Sequence, residues 1–129
     1  MPNELPQYLK DMYKSLKDEI IKGPENQEII KQLIDSIELR DLKIIADMVD
    51  DKNDTLLIWA ASKKLPDICI FLMNYMSLET IFHADSAKHT ALCWAEEKGL
   101  KDVCDYISNA EQAMSEQGLT GDNSAYNII

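Results

Sequence analysis

The stretch TLLIWAASKKLPDIC, Thr55–Cys69, is written again as TALCWAEEKGLKDVC, Thr90–Cys104, thirty-five residues further on. The register extends beyond the quoted letters. Asp50 pairs with Asp85, Thr55 with Thr90, Leu57 with Leu92, Trp59 with Trp94, Ala60 with Ala95 and Lys63 with Lys98. Leu65 pairs with Leu100, Asp67 with Asp102 and Cys69 with Cys104, and both tryptophans of the chain fall on one repeat position. A fixed period of roughly 20–50 residues is the mark of a stacked array. A unit this small cannot bury its apolar face alone, so it buries it against the next unit.

Within each copy the letters read as two short helices. Thr55 caps a helix running to about Lys63, and Leu65-Pro66 opens a second, to about Tyr75. Met76–His89 reads as loop with a helical turn. Thr90 then caps a helix to about Lys98, Gly99 ends it, and another runs from Lys101 to about Met114. Upstream, Leu9, Met12, Tyr13, Leu16, Ile20 and Ile21 recur at helical spacing over 5–22, and Gly23-Pro24 stops that helix. A second helix after Pro24 carries Ile29, Ile30, Leu33, Ile34 and Ile37. A break at Arg40-Asp41 and a third helix, Leu42–Val49, follow. Asp50–Asp54 is dense in turn formers. No segment reads as a strand, so the predicted fold class is all-α.

The repeated unit resembles the ankyrin repeat, which reads roughly D-x-x-G-x-T-P-L-H-x-A-A-x-x-G-H-x-x-I/V-V-x-x-L-L. Asp50, Thr55, Leu57, Ala60, Ala61, Ile68 and Leu72 sit on its positions in the first copy. Asp85, Thr90, Leu92, Ala95, Gly99, Val103 and Ile107 do so in the second. The copies depart from it where Leu56 and Ala91 replace the proline and Ile58 and Cys93 the histidine. Lys64 stands at one C-cap glycine position, and Asn53 and Lys88 stand at the glycine of the turn, which suggests turns degraded to plain loops.

The resemblance implies a short ankyrin-like helical repeat stack with an extra N-terminal helix. It divides the chain into an extra helix (1–23), a capping helix pair (24–49), two repeats (50–84 and 85–115) and a flexible polar tail (116–129). It also implies that function lies in binding another protein through loop tips and the exposed side of the first helices. Carried over, those positions are Lys52, Asp54, Trp59, Ser62 and Lys63, then Ala87, His89, Trp94, Glu97 and Lys98. Trp59 and Trp94 either anchor a partner or fill space between helices. The implied role is a small regulator or inhibitor that occludes a partner. Self-association into a homodimer, with the apolar ends of a short stack covered, is the alternative.

Composition narrows the partner. Net charge is −10 over 129 residues and the pI near 4.5, which disfavours nucleic acid and anionic membranes. A basic or mixed-charge protein surface fits better. Three cysteines, Cys69, Cys93 and Cys104, form no disulfide framework, and no signal peptide or membrane span is evident. A cytoplasmic setting follows. Of 13 Lys and Arg residues only Arg40 is arginine, a bias that AT-rich genomes write. It suits a bacterial source, and bacterial relatives of this family are often delivered into host cells.

No Walker loop, nucleophile elbow, H-E-x-x-H or dinucleotide fingerprint occurs. The expectation is therefore no enzyme, no catalytic residue and no cofactor. A hydrolase using Cys93 with His89 is the remaining enzymatic reading. His83, His89, Cys93 and Cys104 lack the spacing of a zinc set, so no metal is expected.

Overall fold

A computed structural model describes residues 5–116 of the chain. The polar tail expected over 116–129 lies, after its first residue, outside the described residues.

Eight α-helices follow one another among those residues. They are α1 (Gln7–Ile21), α2 (Gln27–Asp35), α3 (Leu39–Ala46), α4 (Leu56–Ser62), α5 (Pro66–Met73), α6 (Leu78–Ile81), α7 (Ala91–Glu97) and α8 (Lys101–Glu116). A 3-10 turn, Pro24–Asn26, leads into α2. The described residues contain no strand, only an isolated antiparallel bridge from Val49 to Thr55. The all-α helical repeat fold is thus the observed one.

Two layers organise the stack. α1, α4 and α7 lie side by side as the inner layer, with α4 touching both neighbours. α2, α5 and α8 form the outer layer, each packed behind its inner helix. α4 is the central helix, and its composition says so. Leu56, Leu57, Ile58, Ala60 and Ala61 are all buried, because α1, α7 and α5 surround it. Ala60 and Ala61 on α4, with Ala91 and Ala95 on α7, are fully buried. Methyl groups at these positions let the inner helices approach closely.

The N-terminal helix is built into this layer. Its stripe Leu9, Tyr13, Leu16 and Ile20 is buried, and it packs against both α2 and α4. The expected pairing of the second and third helices is not what forms. α2 pairs with α1 through Ile30 and Ile34, whereas α3 lays Leu42 and Ile45 back against α1. The break between them falls at Ser36–Glu38, where Glu38 is extended with ψ 145°, not at Arg40-Asp41. Asp41 resembles a turn former by propensity. It is instead a buried residue of α3 whose carboxylate accepts the Tyr8 hydroxyl of α1 at 3.0 Å. A tertiary partner overrides local preference here.

Helix ends follow local chemistry. Thr55 Oγ1 accepts the N–H of Ile58 at 3.1 Å, and Thr90 Oγ1 that of Cys93 at 3.2 Å. The first and third inner-layer breaks need left-handed backbone, supplied by Gly23 (φ 99°) and Gly99 (φ 71°). Lys64 takes the same conformation at φ 61° without being glycine.

The turns are not degraded. Asp50 N–H donates to Asp54 O at 3.0 Å and Asn53 N–H to Asp50 O at 2.9 Å. Asp85 N–H to His89 O (2.9 Å) and Lys88 N–H to Asp85 O (2.8 Å) repeat this bond for bond. Asn53 and Lys88 both sit at φ 68°. The turn survives without glycine because an aspartate locks it. Asp50 Oδ1 accepts the N–H groups of Lys52 and Asp54, and Asp85 Oδ1 those of Ala87 and His89. Adjacent turns also clip together, since the Ser86 hydroxyl donates to Lys52 O at 2.9 Å and the His83 ring meets Asn53 O at 3.0 Å.

Candidate functional site

The turns stand beside the inner helices, and a groove runs between the two. On it, Lys52, Asp54, Trp59, Ser62, Lys63, Trp94 and Lys98 line one cavity of about 430 Å³ together with Ile58 and Asp85. The repeat explains the convergence. Trp59 on α4 lies one helical turn before Lys63, which caps that helix, Trp94 on α7 stands likewise before its cap Lys98, and the two helices are neighbours.

The other expected positions fall at its edge. The His89 ring packs edge-on against Trp94, with centroids 5.5 Å apart. Glu97 lies outside the cavity lining, exposed, with its Oε2 3.8 Å from Lys98 Nζ. Ala87 is exposed at the tip of the second turn.

Each tryptophan is half-buried, so space filling and groove lining are both true of it. Their polar ends differ. Trp59 Nε1 donates to Asp50 Oδ2 at 2.9 Å. Trp94 Nε1 is buried with no acceptor. Lys98 Nζ lies 5.9 Å from the Trp94 ring centroid, within cation–π range.

Three carboxylates set the electrostatics. Burial works against the charge of Asp50. The N–H of Asp54, the Trp59 indole, the N–H of Lys52 and the Lys17 ammonium prevail and hold its carboxyl below the usual range. Asp54 is nine-tenths buried. Burial first, then the facing carboxyl of Asp85 and the charges of Asp50 and Asp85, push it up to about 6. Its Oδ1 has no protein donor. A bond between Asp54 and Asp85 therefore needs a proton on one of them, and the two titrate as a pair.

Sequence reasoning missed Asp85 and Ile58 as lining residues and missed the contribution of α1. Tyr13 on α1 donates its hydroxyl to Asp54 O at 2.7 Å, and Lys17 reaches Asp50 Oδ2 at 3.5 Å. A signal existed: Tyr13 and Lys17 stand one helical turn apart, like Trp59 with Lys63 and Trp94 with Lys98.

His89 and Cys93 do not join as a dyad. The His89 ring is engaged with Trp94, and the Cys93 thiol takes its close contact from the Thr90 hydroxyl at 3.4 Å. That hydroxyl is the main reason the Cys93 thiol sits below its ordinary range. Cys69 is buried, which pushes its thiol up to about 12. Among the described residues no three His, Cys, Asp or Glu side chains gather as a metal set. No helix among them is long and apolar enough to cross a membrane.

A family model described as ankyrin repeats, three copies, matches residues 20–117. No curated protein and no solved structure matches the chain.

Proposed function

The chain belongs to the ankyrin-repeat family, whose stacks are protein–protein interaction modules, and from that premise we propose that it is a non-catalytic regulator that occludes a partner protein. The groove between the inner helices and the turns is the proposed contact surface. One observation carries this reading. Residues from two helices and two turns, with both tryptophans of the chain among them, line a single cavity instead of scattering over the surface. Tryptophan at the centre of a contact surface, ringed by long polar side chains, is the usual anatomy of an interaction hot spot.

The regulator role, as opposed to mere binding, is the reading that suits a contact groove in which the described residues form no nucleophile–base pair. Three free thiols in the described residues suit a reducing cytoplasm, including that of a host cell into which a bacterial effector is delivered.

The test is affinity capture with the intact chain and with a Trp94→Ala/Lys63→Glu variant whose helicity matches wild type by circular dichroism. A partner captured by wild type and lost with the variant supports the groove. Equal capture by both removes the groove as the contact surface.

A further inference from the structure

The two junctions between neighbouring inner helices are built from the same residue types yet end differently. At the first, between α1 and α4, Asp50 is held from both sides. Lys17 Nζ of α1 lies 3.5 Å from its Oδ2, and Trp59 Nε1 of α4 donates to the same oxygen at 2.9 Å. Lys17 also lies 5.8 Å from the ring centroid of Tyr13, the aromatic one turn before it. This junction is closed, and the Asp50 side chain is 6% exposed.

The second junction, between α4 and α7, repeats the parts one step along. Lys63 follows Trp59 as Lys17 follows Tyr13, Asp85 is the counterpart of Asp50, and Trp94 is the counterpart of Trp59. The backbone of the turn is the same, with Asp85 Oδ1 taking two N–H groups as Asp50 Oδ1 does. The closing contacts are not made among the described residues. The Trp94 indole N–H is buried without an acceptor, Lys63 forms no ion pair with Asp85, and the cavity lies where the junction should be sealed.

The cause is local. Asp85 has Asp54 of the preceding turn beside it and is turned to face that carboxyl. No earlier turn in the described residues offers Asp50 such a neighbour. Lys52, Lys63 and Lys98 line the cavity beside Asp54 and Asp85; Lys98 is paired with Glu97 outside the lining, and Lys63 is the lining ammonium one turn from Trp59, in the place that Lys17 holds at the first junction.

We propose that a carboxylate from a partner chain completes the second junction. A Glu or Asp side chain accepts the Trp94 indole N–H and pairs with Lys63, taking the place that Asp50 holds at the first. The proposal rests on the groove being a protein-binding surface and adds the chemistry of what enters it. The first junction is the template: in this chain a Trp–Lys pair across two inner helices is satisfied by a carboxylate. A charge-assisted bond of this kind is short and about twice as strong as a neutral one. The acidic chain as a whole repels such a partner at long range, so recognition depends on the pocket itself and not on steering.

The experiment follows the two indole N–H signals in 15N-labelled protein, assigned with Trp94→Phe, which keeps a ring and removes the donor. The probe is an end-blocked hexaglutamate peptide, with hexaglutamine and ionic-strength-matched sodium chloride as controls. The Trp94 signal moves saturably with hexaglutamate alone, while the Trp59 signal, already bonded to Asp50, stays in place and reports an intact fold. Lys63→Gln weakens the response about tenfold, as loss of a charged hydrogen bond does.

A Trp94 signal unmoved by millimolar hexaglutamate overturns the proposal. So does an equal response to hexaglutamine, or an unchanged affinity in Lys63→Gln. A Trp94 signal that moves with protein concentration alone, before peptide is added, overturns it in favour of a second copy in the groove. Where the peptide fails but capture of a natural partner still depends on Trp94, the carboxylate assignment falls and the binding module stands.

Discussion

Replacing Asp54 by Asn stabilises the protein at neutral pH, and the gain fades in acid. The side chain of Asp54 is nine-tenths buried, and its Oδ1 has no protein donor. The structural bonds of this residue are made by its backbone, to Asp50 and Tyr13, and the substitution leaves them alone. What it removes is a negative charge facing Asp85 and near Asp50. Lifting a carboxyl from its ordinary 3.8 to about 6 means that the ionised folded state is destabilised by at most about 3 kcal/mol at 1.36 kcal/mol per pH unit. Screening by water and by Lys52 at the cavity reduces this to about 1–2 kcal/mol. Because the folded pKa is the higher one, the folded state binds the proton more tightly than the unfolded chain does. Stability from this group is therefore present in acid and is lost as pH rises from about 4 to 6. Urea titrations followed by circular dichroism between pH 5 and 8 read the gap between the Asn variant and wild type. It is full at pH 7.5–8 and falls to about half at pH 5. Asp50, Asp85 and Glu19, all held below their ordinary ranges, have the opposite sign. Their stability is lost only below that window, so it adds no slope between pH 5 and 8. A gap independent of pH, or an Asn variant less stable at pH 8, refutes the reasoning.

Two further outcomes follow from geometry already described. Lys64→Gly relieves a side chain held at φ 61° and stabilises by about 0.5–1 kcal/mol after the added freedom of the unfolded chain is subtracted; a lower urea midpoint contradicts this. The three thiols react with a disulfide reagent in a fixed order, exposed Cys93 first and buried Cys69 only at the rate of unfolding. Mass spectrometry of partly modified protein reads that order, and early labelling of Cys69 contradicts it.

What the letters disclosed and what they withheld divide along one physical line. Interactions contained in a single unit were legible. Thr55 and Thr90 announce their helices because the cap bond spans three residues. Pro66 and Gly99 mark a start and a stop by their own backbone limits. The groove was legible for a related reason. Trp59 with Lys63 and Trp94 with Lys98 repeat at one register, and stacking carries equal positions onto one face. The place of α1 was hidden because the loop after α2 holds an eight-residue helix, α3, where the next loop holds the four-residue α6. The spacing from Tyr13 to Trp59 therefore differs from the thirty-five residues between Trp59 and Trp94, and a fixed-period search passes over it.

Contacts between units are harder still, since they depend on which residue precedes which in the stack. Asp50 and Asp85 are the same letter at the same repeat position, with the same turn around each. One is buried between a lysine and an indole, and the other faces a second carboxylate. That carboxylate belongs to Asp54, a residue of the neighbouring unit. A repeat array can thus hold a sealed junction and an open one with almost no change in its motif. On this reasoning the residue that decides between them, Asp54, sits in the turn before the junction. Asp54→Asn therefore tests the origin of the cavity as well as the stability of the fold. If Asp54 is what draws Asp85 away, removing its charge frees Asp85 to accept the Trp94 indole N–H. The Trp94 signal then moves toward that of Trp59 with no ligand present. An unmoved signal in a folded Asn variant means that Asp54 is not what keeps the second junction open.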